Sequence, residues 1–259
     1  FCVSTSNAVD GNGALTSCSL SPTSSPLGTL SSTSASASSG TLSAGTTYSY
    51  QLIGTNSSGT TYGTYKSFTT LVAAPAFTIS PIAETVTVNT SITGYTISST
   101  GGAVASYALS STPSGLTFET STGLLSGSPS TVAAATSYTI TATNANTTAT
   151  RTFTLTVVKA SRTLTIDSGS YTSTYSRFAT LPTLTSTASA GTGTKNYTSS
   201  TTGVCTVNLT SGLVSFVSVG TCRITASIAT DATYLAATSA EINFAIALAS
   251  RTLSIDASS

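Results

Sequence analysis

Seven carboxylates are the first residues to examine for chemistry, because two carboxyl groups about 5–9.5 Å apart can hydrolyse a glycosidic bond. Nothing in the sequence places two of these carboxylates close together, and none of the segments defined below contains more than three of them. The chain has no histidine, which removes imidazole bases, Ser–His relays and histidine-ligated metals. We therefore predict solvated surface acids and no enzyme. The acids are Asp10, Glu84, Glu119, Asp167, Asp231, Glu241 and Asp256.

Glycine-containing runs are the next candidates, for cations or phosphate. Asp10-Gly-Asn12 has the character of a calcium loop, but a calcium cage needs several clustered oxygen ligands and no second acid lies close in sequence. Neither Gly11-Asn-Gly13 nor Thr100-Gly-Gly102 both follows a strand and opens a helix, as a phosphate-binding loop must. We predict turns at all three places and no metal or cofactor.

Four cysteines form two pairs with similar spacing, Cys2 with Cys18 and Cys205 with Cys222. Cys205 alternates with Val207 and Leu209, and a similar alternation follows Cys222, so both thiols are expected on the inward faces of neighbouring strands. We predict the disulfides Cys2–Cys18 and Cys205–Cys222, each closing a loop of about 15 residues. Free buried thiols remain the alternative, whereas zinc is disfavoured because Cys-x₂-Cys spacing and histidine are both missing. Disulfides imply an oxidising, extracytoplasmic location.

Eleven tyrosines offer rigid faces on which a sugar ring can stack. Tyr48, Tyr50 and Tyr138 alternate with polar residues and are predicted to lie in cores. The tyrosines predicted to be exposed, and thus the candidates for polysaccharide binding, are Tyr62, Tyr65, Tyr171, Tyr175 and Tyr197.

The composition excludes other partners. Only 6% of residues are charged and the net charge is +1, so the eight Lys and Arg residues cannot form the basic stripe that nucleic acid requires. Apolar runs such as Leu71–Phe77 fall far short of the roughly 20 residues that span a bilayer. Hydrophobic residues make up 39% of the chain, which disfavours disorder.

Apolar and polar residues alternate along much of the chain, so we expect strands to position the candidate residues named above. Phe153, Leu155 and Val157 are each flanked by threonines, and Tyr138 begins a similar run. Period-two alternation places apolar side chains on one face of a strand, and threonine favours the extended backbone while its hydroxyl faces water. Turn signals interrupt the runs at intervals of roughly 8–12 residues, which is typical of β-sandwiches. We predict an all-β fold almost without helix.

A repeat divides the chain. Arg251–Asp256 repeats Arg162–Asp167 with one Thr→Ser change, 89 residues further on, and such a period indicates a tandem array. We predict beads-on-a-string sandwiches at residues 1–72, 73–159 and 160–248, and a further first strand or donor strand at 249–259. The first residue is Phe1 and not Met, and no basic or apolar region of a signal peptide follows it, so we interpret the chain as a window of a longer repetitive protein.

The first segment resembles the second half of a bacterial fibronectin type III domain. The resemblance rests on Leu42-Ser-Ala-Gly-Thr-Thr-Tyr48-Ser-Tyr50, Gly54-Thr-Asn56-Ser-Ser-Gly59 and Phe68-Thr-Thr70. It implies that the hydroxyl of Tyr48 hydrogen-bonds back to the main chain, and that the first strands of this domain are missing.

The second segment resembles the immunoglobulin-like and cadherin-like domains of bacterial surface proteins. Pro113–Phe118, Ser121–Pro129 and Tyr138–Asn144 carry this resemblance. The third segment, with Val204–Val207 and Gly220–Ala226, is similar to another immunoglobulin-like repeat of secreted proteins. These families imply spacers and scaffolds rather than catalysts.

We therefore expect a structural segment of a secreted bacterial surface protein that forms or extends a filament, stalk or sheath, with copies of itself as partners. A carbohydrate-binding or adhesin module attached to a larger secreted protein or enzyme is the alternative. Arg251, Leu253 and Ile255 are predicted to complete an open sheet of a neighbouring molecule.

Overall fold

The computed structural model describes residues 1–20 and 39–251. Within these ranges the regular elements are strands, apart from one three-residue 3-10 helix at Ser168–Ser170. The predicted all-β fold is confirmed in these ranges. No helix in these two ranges has the length and apolar character that a membrane crossing requires.

The N-terminal sheet contains four antiparallel strands in the order β2-β1-β3-β6, and β4 and β5 form a separate hairpin. The predicted turn Asn56–Gly59 closes this hairpin, with Asn56 paired to Gly59. The six strands are β1 (Cys2–Ser4), β2 (Ser19–Leu20), β3 (Thr47–Gln51), β4 (Ile53–Asn56), β5 (Gly59–Tyr62) and β6 (Lys66–Thr69).

The middle part of the chain forms a sandwich around one hydrophobic core. Its main sheet has the order β10-β13-β14-β8, in which β8 runs parallel to β14, and the ladders β7-β9 and β11-β12 complete it. The strands are β7 (Phe77–Ser80), β8 (Ala83–Thr87), β9 (Thr96–Ser99), β10 (Ser106–Leu109), β11 (Leu116–Phe118), β12 (Leu125–Gly127), β13 (Ala133–Thr143) and β14 (Thr148–Val158).

The apolar residues that alternate with threonine in the sequence are the ones that form this middle core. Phe153, Leu155 and Val157 are almost fully buried, and Tyr138 lies directly opposite Phe153 on the neighbouring strand. The intervening threonines form cross-strand pairs on the outer face, such as Thr139 with Thr152. Hydroxyl groups therefore replace the charges that usually cover the outside of a sheet.

A second hydrophobic core is built from residues 164–246. Its five-stranded sheet has the order β16-β23-β21-β18 with β22 also paired to β21, and two ladders, β15-β17 and β19-β20, lie apart from it. The strands are β15 (Leu164–Ile166), β16 (Thr174–Ser176), β17 (Ser186–Ala188), β18 (Lys195–Ser199), β19 (Cys205–Val207), β20 (Val214–Phe216), β21 (Gly220–Ile228), β22 (Ala237–Thr238) and β23 (Ile242–Ala247).

One inward-facing residue was predicted wrongly in this C-terminal core. Cys205 is fully buried, but Leu209 is 55% exposed. Strand β19 ends at Val207, and Asn208 starts a turn in which its side-chain oxygen accepts hydrogen bonds from the backbone N–H groups of Thr210 and Ser211. The alternation therefore stops before it reaches Leu209.

Candidate functional site

Both predicted disulfides are formed. The Cα atoms of Cys2 and Cys18 lie 5.4 Å apart, and those of Cys205 and Cys222 lie 5.5 Å apart. The second pair does not join neighbouring strands of one sheet, as the sequence suggested. Strand β19 pairs with β20 whereas β21 belongs to the five-stranded sheet, so this disulfide links two sheets across the core.

Several of the acids that the structure describes accept hydrogen bonds from backbone N–H groups. Asp10 accepts the N–H groups of Asn12 and Ala14, which makes Asp10–Asn12 the turn that was predicted. Glu84 accepts the N–H groups of Thr93 and Gly94 at 2.6 and 2.7 Å. Within the described ranges no three acidic or cysteine side chains gather as a metal site would require.

Four carboxyl groups are held in the ionised form by these contacts. Hydrogen bonds from the backbone N–H of Tyr234, the hydroxyl of Thr185 and the backbone N–H of Ser121 lower the pKa of Asp231, Asp167 and Glu119 respectively. The guanidinium of Arg223 lowers the pKa of Glu241 in the same way. A carboxyl group with a lowered pKa is a poor general acid or base at neutral pH, so none of the four is tuned for proton transfer.

Arg162 lies in a polar site with four hydrogen-bond acceptors, and its side chain is completely buried. Its guanidinium pairs with Asp231 at 2.9 Å, and its Nε donates to the carbonyl of Leu235 at 2.9 Å. The other nitrogens donate to the carbonyls of Ala190 and Ala229. The carbonyl and carboxylate oxygens thus surround a charge that would be costly to bury alone.

The loop that contains Gly191 can approach Arg162 and Asp231 closely because Gly191 has no side chain. Gly191 has φ +75°, and a Cβ atom there would lie 2.5 Å from the Asp231 carboxylate and 2.8 Å from Nη1 of Arg162. Only a residue without a side chain fits. Apart from the repeated segment Arg162–Asp167, nothing in the sequence indicated this site.

Two linkers are hydrogen-bonded to the core that follows each of them. Asn144 and Asn146, at the tip of the β13–β14 hairpin, donate through their side-chain amides to the carbonyls of Ala73 and Val72 at 2.8 and 3.0 Å. The backbone N–H of Gly102 donates to the carbonyl of Ala74. The linker 72–76 is therefore held along its length.

The second linker is held by the loop 229–235. Ala160 exchanges backbone hydrogen bonds with Thr233 and Leu235, and the ammonium group of Lys159 donates to the hydroxyl of Thr230 at 3.0 Å and to the carbonyl of Asp231. Two residues later Arg162 enters the site described above.

Most of the tyrosines proposed for sugar stacking are buried or half-buried by neighbouring side chains. Tyr197 was predicted to be exposed and this is wrong: it is 5% exposed, and its hydroxyl lies 3.0 Å from that of Ser186. Tyr171 and Tyr175 are half-buried against Phe244, with ring centroids 6.1 and 5.3 Å away. Tyr175 lies in the three-residue strand β16 and Tyr171 in the segment just before it, and both are too short for alternation to show which side faces the core.

Tyr62 is half-buried and Tyr65 is 38% exposed, so both retain a ring edge or face toward solvent. Tyr48 accepts a hydrogen bond from the backbone N–H of Ser43, the main-chain contact that the resemblance implied. Tyr50 was predicted to be in a core and is 37% exposed, so that prediction is wrong.

The N-terminal sheet explains the position of Tyr50, because its apolar side faces outward. Tyr48, Tyr50 and Phe68 lie on one face, where the ring centroids of Tyr48 and Tyr50 are 6.0 and 6.1 Å from that of Phe68. Val3 lies opposite Tyr50 and Lys66 flanks it on the other side. We name this surface, Val3, Tyr48, Tyr50, Lys66 and Phe68, the aromatic face.

The opposite side of the same sheet is polar and buried. Ser4, Ser49 and Gln51 are each less than 5% exposed. Gln51 accepts the backbone N–H of Leu15 and donates to the carbonyls of Gly13 and Gly63. Of the predicted donor strand, Arg251 is exposed, whereas Leu253 and Ile255 lie outside the described residues.

One family model, described as "Putative Ig domain", matches residues 69–158. This stretch contains the middle core, where the sequence resembles immunoglobulin-like domains, and the match confirms that resemblance. No curated protein sequence matches the chain.

Solved structures of similar fold include EC1-2 of human protocadherin-24, at 9% identity with a TM-score of 0.35, covering 70% of this chain and 100% of that one. Murine CEACAM1b has 14% identity and a TM-score of 0.29, covering 67% and 100%. A C-terminal intimin fragment in complex with the intimin-binding domain of the translocated intimin receptor has 16% identity and a TM-score of 0.29, covering 66% and 63%. At these scores the likenesses carry no argument.

Residues 69–158 are therefore similar to an immunoglobulin-like domain, and this similarity together with the two disulfides suggests an extracellular structural or adhesion module.

Proposed function

We propose that this chain is a structural segment of a secreted bacterial surface protein, and that it forms or extends an extracellular filament, stalk or sheath. In this proposal residues 1–72, 73–159 and 160–248 are successive units, the first of them related to fibronectin type III domains. The units act as spacers and not as catalysts.

The observation that carries the proposal is the position of the two linkers. The hairpin tip 144–147 contacts linker 72–76, and β14 runs from that tip to Val158, where the second linker begins. Eleven residues of strand separate the two linkers by about 36 Å. The middle core is thus entered at one end and left at the other, as in a rod.

The same arrangement continues through the C-terminal core. The loop 229–235 holds the second linker and follows directly after Ile228, the last residue of β21. Strand β23 is antiparallel to β21 and pairs Ile246 with Gly220, at the opposite end of β21. The chain therefore leaves this core far from where it entered.

Single-molecule electron micrographs and small-angle scattering test the rod. We expect a straight particle with a narrow distribution of bend angles, and filaments at higher concentration. Replacing both linker-binding side chains, by Asn144→Ala with Asn146→Ala, should broaden the bend angles. Asn208→Ala is the matched control, because the side chain of Asn208 bonds only within its own turn. Randomly bent particles in the unmodified chain would contradict the proposal.

Carbohydrate binding is the second candidate, favoured by the exposed ring of Tyr65 and by the aromatic face. A glycan array separates the two functions, since a scaffold retains no sugar selectively. Selective retention that is lost in Tyr65→Ala would favour the binding module.

A further inference from the structure

A long hairpin of the middle core carries an ordered set of threonines. Its two strands, β13 and β14, have eleven residues each, and three pairs of threonines lie directly opposite each other between them. Residues that alternate with them, such as Ile140 and Phe153, are fully buried, so the threonines lie on the outer side of the sheet. We name these six residues the threonine array: Thr139 with Thr152, Thr141 with Thr150, and Thr143 with Thr148.

The hydroxyl groups of the array are not used inside the protein. Among the described residues none of the six side-chain oxygens takes part in a hydrogen bond, although Ser137 and Thr154, the next outward pair of the ladder, bond to each other at 3.2 Å. Thr148, Thr150 and Thr152 are exposed, and the three threonines opposite them are half-buried. The hydroxyls are therefore available to water or to a ligand.

The outer side of this sheet carries no charged residue in its four strands. Glu84 and Arg151 are the two charged residues of β8, β10, β13 and β14, and both belong to the inner side. Glu84 lies next to the buried Leu155, and the guanidinium of Arg151 lies 5.7 Å from the centre of the Phe77 ring. A charged partner therefore finds no complementary charge on the array.

The hairpin sets the spacing of the array. The backbone N–H of Thr154 donates to the carbonyl of Ile82, on the side of β8. Strand residues alternate, so Thr152, Thr150 and Thr148 likewise point their N–H groups away from β13. The facing threonines are consequently non-hydrogen-bonded pairs, whose Cα atoms lie about 4.5 Å apart. Successive members on one strand are two residues, or about 6.8 Å, apart, and one interstrand twist of about 20–25° separates the two rows.

Frozen water repeats at nearly the same two distances. Each oxygen in ice has four tetrahedral neighbours at an O–H···O distance of about 2.75 Å, which places second neighbours about 4.5 Å apart. Perpendicular to this repeat, on the prism face of hexagonal ice, the lattice recurs after about 7.3 Å, which is eight thirds of the same bond length. The first distance equals that between facing threonines, and the second exceeds the two-residue step of a strand by about 0.5 Å. Over three threonines the mismatch reaches about 1 Å, well below the distance between neighbouring oxygens.

Threonine also has the chemistry that holds water in place. Its hydroxyl donates one hydrogen bond and accepts others, while its γ-methyl group restricts the orientations of the water beside it. A protein partner is disfavoured, because two strands by five residues cover about 160 Å² against the roughly 800 Å² per partner of a stable complex. The array also lacks an aromatic ring on which a sugar could stack.

We propose that the threonine array binds the prism face of ice, and that water molecules held by its hydroxyls become part of the lattice. Chains adsorbed on a crystal force the ice front to advance as curved surfaces between them, and growth then stops a little below the melting point. This activity is separate from the structural function proposed above, and each holds without the other.

Nanolitre osmometry and annealing of ice grains test the binding with the full chain. We expect faceted crystals whose growth halts over a temperature interval below the melting point, and grains that stay small during annealing. Ice that grows and coarsens as it does in buffer, up to the solubility limit of the protein, would overturn the proposal.

Lysine within the array should abolish the effect, because its long charged side chain keeps the lattice away. Thr150→Lys and, independently, Thr152→Lys should each reduce the interval of halted growth to that of buffer. Thr221→Lys is the matched control, because Thr221 is also an exposed strand threonine but lies opposite Ala245. Circular dichroism melting identifies the variants that keep the Tm of the unmodified chain, and only these are compared. Equal activity of a folded array variant and Thr221→Lys would refute the role of the array.

The same variants distinguish two other occupants. Crystalline cellulose or chitin that retains the unmodified chain but not Thr150→Lys, without any effect on ice, would assign the array to polysaccharide and overturn the proposal. Self-association in sedimentation velocity that Thr150→Lys abolishes, again without any effect on ice, would assign the array to a second copy and overturn it as well. Particles that are not rods would instead contradict only the proposed function.

Discussion

Removing the guanidinium of Arg162 should destabilise the C-terminal core far more than removing that of Arg223. Both arginines pair with a carboxylate at 2.9 Å, so the distance of the ion pair is matched. They differ in burial: the side chain of Arg162 is completely buried, and that of Arg223 is 51% exposed. The comparison isolates what burial contributes.

The expected loss for Arg162→Ala is about 3–5 kcal/mol, because a broken buried ion pair leaves its partners unsatisfied. Three backbone carbonyls lose their donor, at Leu235, Ala190 and Ala229. A loss of 3 kcal/mol changes the unfolding equilibrium by more than about 100-fold. Arg223→Ala should change the stability little, since exposed pairs are screened by water. Arg162→Lys should fail to restore stability, because lysine lacks the planar fork that reaches four acceptors.

Reduction of the Cys205–Cys222 disulfide under dithiothreitol reports the stability of this core specifically, because both cysteines are fully buried. Alkylation followed by mass spectrometry gives the fraction reduced against time and urea concentration. Arg162→Ala should be reduced at a much lower urea concentration than Arg223→Ala. Equal urea dependence for the two variants would refute the argument that the buried site holds the linker to the core.

Three further perturbations follow from the geometry. Gly123→Ala should cost about 1–3 kcal/mol in urea unfolding, because Gly123 has φ +76° and a Cβ there would lie 2.6 Å from Ile97 and 2.7 Å from the Tyr107 ring; an unchanged midpoint would contradict this. Cys205→Ala with Cys222→Ala should lower the free energy of unfolding by about 3 kcal/mol, because the disulfide no longer restricts the unfolded chain, and calorimetry should show a lower Tm. An unchanged Tm would contradict this. The four lowered carboxyl pKa values stabilise the fold above the unfolded-state values of 3.8–4.5 and cease to do so as pH falls through the lowered ones. Stability should therefore stay flat between about pH 5 and 9, since the chain has no histidine, and decline below about pH 4.5; a midpoint near pH 6.5 in acid unfolding would contradict it.

Period-two alternation predicted the parts of the fold in which long strands face a filled core. Phe153, Leu155 and Val157 are buried as expected, and so are Cys222 and the residues that alternate with it. Local turn chemistry was equally readable, as at Asn56–Gly59 and Asp10–Asn12. These signals are contained in a few neighbouring residues.

The errors share one physical origin, which is that alternation states which side chains share a face but not what covers that face. Tyr50 lies on the apolar side of its sheet as the pattern requires, yet that side faces outward in the described structure. Tyr197 was predicted to be exposed, but its side chain packs in the C-terminal core, whose other members come from distant parts of the chain. Arg162 could not be recognised as buried, because its acceptors come from residues 190–235, far along the chain.

The parallel pairing of β8 with β14 has a mechanical consequence. Strand β8 lies near the point where the chain enters the middle core, and β14 ends where the chain leaves it. A pull applied to the two ends slides these strands along each other, so the bonds between Ala83–Thr87 and Thr154–Val158 are loaded together rather than opened one by one. Strands β16 and β23 pair in the same parallel sense in the C-terminal core. Each core is thus built to resist stretching along the direction in which the linkers enter and leave.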